Sequence, residues 1–244
     1  MLLSFINKSH RWEKIKGVKN MAMIFGVDTK ESATKKLTNG YTLYEWVLRK
    51  NSNPDFWGCT LLGDNPISKE EIEYLLDKKC KIALIMRDLT EMGVSTFDGT
   101  NDAFRAVKAA KDLGVPENEG IVIFVEIRSN WSVSHNWMIS FAQIVYENGY
   151  LPGFIGNTDS SKNFNFGRQC SHFVHATEEY NGFGAIYWAT EPKLGGEPED
   201  WAPYCPSALK PEDMDLWECN SYTYDDITIN EIYGKDESLL KHMW

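Results

Sequence analysis

Short apolar runs alternate with amphipathic segments along most of this sequence, and that alternation limits the possible folds more than any other feature. The alternation is typical of parallel βαβ units, in which each strand is followed by a helix. The apolar runs predict eight strands, at residues 23–28, 55–62, 81–87, 120–127, 150–156, 183–190, 214–220 and 226–230. We therefore expect an α/β fold, a (β/α) barrel of the TIM type.

The segments between the predicted strands carry helix signals. Ser68 and Glu71 form a capping-box pattern ahead of an apolar face. Apolar residues at helical spacing predict further helices within residues 100–113, 134–148 and 160–180. The last two predicted strands are too close for a crossover helix, so they cannot be parallel neighbours. The barrel should therefore have five βα units followed by three strands.

Carboxylates stand at or near the end of several predicted strands. A (β/α) barrel delivers the side chains at its strand ends to one shared C-terminal face, which we call the mouth. Acids that recur at these positions therefore predict a functional site there, and the acids concerned are Asp28, Asp88, Glu126 and Glu191. The long segment 191–213 is rich in Pro, Gly and acidic residues, so it predicts a loop near the same face.

Composition excludes several classes of function. The formal net charge of −10 disfavours a nucleic-acid partner. The sequence shows no signal peptide and no apolar run of transmembrane length, which predicts no membrane insertion and either a cytoplasmic location or export by a non-classical route. Its five cysteines form no CxxC pair, so we expect reduced, mostly buried thiols. We predict no cofactor and no metal, and we expect a monomer.

Two stretches of the sequence resemble a known family. Residues 25–28 (Phe-Gly-Val-Asp) and residues 97–126 resemble a glycoside-hydrolase-like barrel domain that was long catalogued as a domain of unknown function. That domain is similar to the family 25 glycoside hydrolases, which are muramidases that cleave peptidoglycan. Residues 215–218 also resemble their Trp-Gln strand, and residues 226–230 their closing Asp-x-Asn segment. The resemblance implies an N-terminal extension at 1–21, the barrel at 22–233 and a C-terminal tail at 234–244.

The sequence departs from the muramidase pattern at the end of the fourth strand. Those enzymes carry Asp-x-Glu there, with the Glu as general acid, whereas this chain reads Phe124-Val-Glu126-Ile-Arg128. Either Phe124 replaces the Asp, or Arg128 replaces the acid. Glycoside hydrolysis needs a proton donor and a second carboxylate, so Asp28 or Asp88 would have to support Glu126.

Two interpretations of Glu126 remain open. Its apolar neighbours along the strand would favour the protonated form that a general acid needs. An ion pair with Arg87 or Arg128 would instead favour the ionised form and give Glu126 a structural role.

Aromatic side chains predict how a sugar would bind. A Trp ring offers a flat apolar platform for the C–H face of a sugar. We expect Trp131, Trp188 and Trp217 at the mouth, with Glu191 and Arg128 as polar contacts, although a packing role is the stronger interpretation for Trp188.

The resemblance implies a glycoside-hydrolase-like protein that acts on a bacterial cell-wall glycan, so the expected partner is a polysaccharide or oligosaccharide. The alternative is a non-catalytic carbohydrate-binding barrel that has lost its acid pair. A third interpretation is an interaction scaffold without a sugar site.

Overall fold

A computed structural model of the chain describes residues 23–50, 53–159, 161, 165–180 and 184–244. The predicted α/β barrel is confirmed. Eight strands close into one barrel in sequence order: β1 Ile24–Asp28, β2 Phe56–Leu62, β3 Lys81–Met86, β4 Val122–Glu126, β5 Leu151–Gly156, β6 Ile186–Ala189, β7 Leu216–Tyr224 and β8 Ile227–Gly234. The predicted extension at 1–21 lies outside the described residues, and the predicted domain division stays a prediction.

Helices follow the first five strands and surround the barrel. They are α1 Leu43–Lys50, α2 Lys69–Asp77, the short α3 Glu91–Val94, α4 Thr100–Leu113, α5 His135–Glu147 and α6 Asn165–Tyr180. The side chain of Ser68 caps α2 by accepting from the backbone N–H of Glu71 at 3.1 Å. Glu71 accepts instead from the N–H of Ala33 at 2.6 Å, so its carboxylate ties α2 to the loop after β1.

The barrel closes with an antiparallel strand. Strands β1 to β7 pair in parallel, whereas β8 is antiparallel to both β7 and β1. The cause is the turn between β7 and β8, where Asp225 and Asp226 have φ of 53° and 60°. Two successive residues with positive φ are typical of a tight hairpin turn, which returns the chain beside the strand it has just left.

Side chains alternate between the two faces of each strand, and the inward-facing ones fill the barrel. The interior layer contains Ile24, Phe56, Ala83, Ile85, Val122, Phe124, Ile155, Trp188, Leu216 and Ile232. Gly26 lies against the ring of Phe56, and a Cβ atom at this glycine would come within 2.2 Å of that ring. The interior is therefore packed by large rings such as that of Phe56, which needs glycine on the adjacent strand.

The C-terminal segment covers the end of the barrel opposite the mouth. Leu239 and Met243 are buried against the interior layer. The backbone of Trp244 exchanges hydrogen bonds of 2.9 and 3.0 Å with Ile82 at the start of β3. This segment therefore acts as a plug, by which we mean residues 237–244.

Candidate functional site

The inward positions at the mouth are polar, in contrast to the apolar layer below them. Each of these positions lies two residues further along its strand than an apolar inward residue, as Glu126 does from Phe124 and Glu218 from Leu216. A cleft of about 570 Å³ opens at the mouth. Strands β1, β4, β7 and β8, together with the residues that follow β3 and β6, bring to it the polar side chains Asp28, Arg87, Glu126, Thr190, Glu218 and Asn230.

Arg87 lies between two of these carboxylates. One terminal nitrogen donates to Oδ1 of Asp28 and the other to Oε2 of Glu126. Its Nε donates to Oγ1 of Thr60 at 3.1 Å, which fixes the plane of the guanidinium. The Arg87 side chain is only 8% exposed, against 26% for that of Glu126. A single buried positive charge thus serves two acids.

Asp28 is the more buried of the two acids. Its carboxylate accepts a hydrogen bond from Arg87 and a second one, of 3.4 Å, from Nδ2 of Asn230. Burial raises the pKa of the Asp28 carboxyl above its ordinary value, Arg87 opposes that rise, and the charge of Glu126 adds to it. Gly58 leaves room for this carboxyl group, because a Cβ there would lie 2.6 Å from Oδ1.

Glu218 contributes a third carboxylate from β7. It forms an ion pair with Lys193, which lies in the loop after β6. Burial raises the pKa of Glu218 to about 7; Lys193 lowers it, and the charges of Asp28 and Glu126 raise it further. The cleft therefore combines one carboxylate whose pKa is raised to about 7 with two that share a guanidinium.

Four of the predicted site residues come together at this cleft: Asp28, Glu126, Arg128 and Glu191. The guanidinium of Arg128 lies 5.1 Å from the centre of the Trp131 ring, so Trp131 supports Arg128 without lining the cleft itself. Glu191 accepts from the backbone N–H of Lys193 at 3.1 Å.

The other predicted site residues do not reach the cleft, and strand geometry explains why. Asp88 follows Arg87, so it faces the opposite side and pairs with Arg105 of α4. Trp217 precedes Glu218 and likewise faces outward. Trp188 does face inward, but it lies one layer below the mouth, where its ring meets Phe124 edge-on at 5.5 Å.

Sequence reasoning did not select Glu218 or Lys193 as site residues. A signal for Glu218 was present, because it stands two residues after Leu216 in a strand whose apolar residues face the core. Lys193 has no comparable signal, since its place depends on the path of the loop 191–213.

That loop folds back onto the barrel. The indole of Trp217 donates to the carbonyl of Pro192 at 2.9 Å, and the backbone N–H of Leu194 donates to Cys219 at 2.6 Å. The ring of Trp201 meets that of Trp217 edge-on at 5.9 Å. These contacts hold Lys193 beside Glu218.

In the part of the chain that the structure describes, no group of three His, Cys, Asp or Glu side chains is placed to hold a metal ion. Within the same ranges, no helix has both the length and the apolar character needed to cross a bilayer. Four of the five cysteines are buried, and all five are free thiols.

No protein-family model and no curated protein matches this sequence. Solved structures do match its fold. An uncharacterized protein of B. stearothermophilus has a TM-score of 0.75 at 21% identity, and the match covers 91% of this chain and 100% of that one. A family GH25 lysozyme from Aspergillus fumigatus has a TM-score of 0.54 at 10% identity, covering 90% of this chain and 98% of its own. 

The catalytic domain of an endolysin from bacteriophage P40 of Listeria monocytogenes matches with a TM-score of 0.54 at 14% identity, covering 91% of this chain and 98% of its own. At these identities the similarity shows the fold alone. The resemblance to the family 25 glycoside hydrolases is thereby confirmed at the level of the fold.

Proposed function

We propose that this chain binds a peptidoglycan-type glycan in the cleft at the barrel mouth and hydrolyses it with the carboxylates found there. The observation that carries the proposal is that Asp28, Glu126 and Glu218 face one open cleft of about 570 Å³. A volume of several hundred Å³ is typical of ligand sites. The proposal is also supported by the fold, which this chain shares with proteins named lysozyme, muramidase and endolysin.

Hydrolysis of a glycosidic bond divides the work between a proton donor and an ionised carboxylate. Glu126 accepts a charge-assisted hydrogen bond from the Arg87 guanidinium, so its carboxylate is already held by a positive charge. We therefore assign Glu126 the second role, as base, nucleophile or electrostatic stabiliser, with Asp28 beside it. Asp88 has no part in this proposal because it faces α4 and pairs with Arg105.

A second candidate function is glycan binding without hydrolysis. The observation that favours it is that Arg87 bonds to both Asp28 and Glu126. A guanidinium that stays bonded to both acids lowers their ability to react with a substrate. The polar cleft would then hold the sugar through hydrogen bonds alone.

The test is the release of reducing ends from purified peptidoglycan by the wild-type chain and by Glu126→Gln, which keeps the shape and removes the charge. We expect the variant to lose at least about 100-fold in rate. Glu199→Gln is the matched control, because Glu199 is exposed in the loop 191–213 and does not line the cleft.

The outcomes separate the two candidates. Release by the wild type that falls with Glu126→Gln and not with Glu199→Gln supports the hydrolase. Sedimentation of both proteins with peptidoglycan, without release, supports the binding barrel. If the wild type neither releases reducing ends nor sediments with peptidoglycan, both candidates are contradicted.

A further inference from the structure

Glu218 differs from the two other carboxylates of the cleft in its partner. Among the described residues, Arg87 donates to Thr60, Asp28 and Glu126, and its hydrogen bonds do not extend to Glu218. Glu218 pairs with Lys193 instead. The cleft thus has two distinct electrostatic environments for its acids.

The position of Glu218 is fixed by β7. Leu216 faces the interior layer and Trp217 faces outward, so Glu218 faces inward one step closer to the mouth. The Glu218 side chain is 11% exposed and lines the same cleft as Glu126. A substrate that fills this cleft can therefore contact both carboxylates.

We propose that Glu218 is the proton donor to the glycosidic oxygen in the hydrolysis proposed above. This inference rests on the proposed function and adds to it a second catalytic residue, on the strand across the mouth from β4. It also leaves the hydrogen bonds of Arg87 to Asp28 and Glu126 intact, since the proton donor lies outside that pair.

Glu218 gives its proton to the glycosidic oxygen while the bond from that oxygen to the anomeric carbon breaks, and the leaving sugar departs as an alcohol. The hydroxyl of a water molecule ends on the anomeric carbon. The proton that this water releases is taken up by an ionised carboxylate of the cleft, and exchange with solvent returns both groups to their starting states.

The protonation state of Glu218 fits this role. Burial raises the pKa of Glu218 to about 7, so at neutral pH this carboxyl group is protonated in a large fraction of the molecules. The charged groups that line the cleft around it come from several elements: Asp28 of β1, Lys30 and Glu31 after it, Arg87 after β3, Glu126 of β4, Arg128 after it, Glu191 and Lys193 in the loop after β6, and Asp226 in the β7–β8 turn. Of these, Lys193 favours the ionised form of Glu218, whereas Asp28 and Glu126 favour the protonated one.

The test compares reducing-end release from purified peptidoglycan by the wild type, Glu218→Gln and Lys193→Met across pH 4 to 9, with sedimentation as the measure of binding. We expect Glu218→Gln to lose about 100-fold or more in kcat while it still sediments with peptidoglycan. The wild-type rate should fall as pH rises through about 7. In Lys193→Met the fall in rate should move to higher pH, because a charge that lowers the pKa of Glu218 is gone.

Glu231→Gln is the matched control, because Glu231 is a buried carboxylate of β8 that does not line the cleft. An unchanged kcat in Glu218→Gln overturns the donor role and leaves the proposed hydrolase standing. Equal losses in Glu218→Gln and Lys193→Met, without a shift in the pH profile, also overturn it, since they show that the ion pair only holds the loop. A wild type that releases nothing overturns the proposed hydrolysis together with its donor.

Discussion

Arg87 holds one buried positive charge between the buried Asp28 and the partly exposed Glu126, so its loss should cost considerable stability. Removing one partner from a buried ion pair costs about 3–5 kcal/mol, because the remaining charge has no compensation. We expect Arg87→Met to lower the free energy of unfolding by about this amount at pH 7. Urea unfolding followed by circular dichroism measures it.

The pH dependence of the stability lost in Arg87→Met tests whether unpaired charge is the cause. Burial raises the pKa of Asp28, and without Arg87 the protonation of Asp28 relieves the buried charge, so the cost should shrink as pH falls towards 4. Adding Asp28→Asn and Glu126→Gln to Arg87→Met should restore stability at pH 7. A cost that is the same at pH 4 and pH 7 would contradict the idea that unpaired charge is its cause.

Glu218 should make the folded state less stable as pH rises. Its pKa is raised from 4.5 to about 7 on folding, so the folded chain holds the proton more tightly than the unfolded chain. Its contribution to stability is fully present below about pH 4.5 and is lost as pH rises through about 7. A shift of this size corresponds to roughly 3 kcal/mol.

We therefore expect the stability difference between the wild type and Glu218→Gln to change in favour of the variant by roughly that amount between pH 4 and pH 8. Urea unfolding of both proteins at each pH measures the difference, and Glu231→Gln serves as the buried control. A difference that stays constant with pH would mean that Glu218 is not desolvated in the folded chain.

At the scale of single residues, the sequence predicted the position of Glu126 and Asp28 because each ends a run of apolar residues. The run that ends in Arg87 and Asp88 has two polar residues, and only the pairing of β3 with its neighbours decides which of them faces inward. The ion pair with Arg87 was one of two interpretations left open for Glu126. Sequence alone could not decide between them, since the distance between β3 and β4 side chains is set by the closed barrel.

At the scale of elements, the strands depend on glycine where large rings cross the barrel. A Cβ at Gly26 would come within 2.2 Å of the Phe56 ring, and both are buried inside the barrel. Overpacking of this kind costs about 1–3 kcal/mol. We expect Gly26→Ala to lower the free energy of unfolding by that amount in urea.

A double variant identifies the cause. Phe56→Leu should recover part of the loss in the Gly26→Ala background, because the smaller side chain leaves space for the new methyl group. Gly184→Ala is the control, since no atom lies within 4 Å of its Cβ position. Strictly additive effects of the two substitutions would contradict a direct clash.

The apolar pattern of the sequence did not predict where the last two strands end. The predicted seventh and eighth strands ended at residues 220 and 230, whereas β7 reaches Tyr224 and β8 reaches Gly234. Residues 221–224 carry polar side chains because β7 and β8 continue as a hairpin beyond the apolar part of the strands. Pairing with β8 holds these residues in strand conformation, and Tyr222 and Tyr224 also pack against the core.

At the scale of the whole molecule, the plug formed by residues 237–244 completes the apolar interior. Leu239 and Met243 are 4% and 2% exposed, and both contact the layer of rings inside the barrel. Replacing a buried Leu or Met with Ala costs about 2–5 kcal/mol. We expect Leu239→Ala and Met243→Ala each to destabilise the entire barrel by this amount in a thermal or urea transition.

Leu194→Ala is the control, because Leu194 is 50% exposed in the loop near the mouth. Its effect should stay within about 0.5 kcal/mol. If the plug variants unfold with an unchanged midpoint, the segment does not contribute to the cooperative unit.

The layer of rings and the plug make the cleft a dead end. Phe56, Phe124 and Trp188 fill the barrel below the polar residues, and the C-terminal residues cover its far side. Any molecule must therefore arrive and depart through the same opening, and no polymer can be threaded through the barrel. A long polymer therefore has to lie across the opening, with both of its ends outside the barrel. Any movement of the protein along such a polymer, in either direction, would take place with the polymer on the outer surface of the protein.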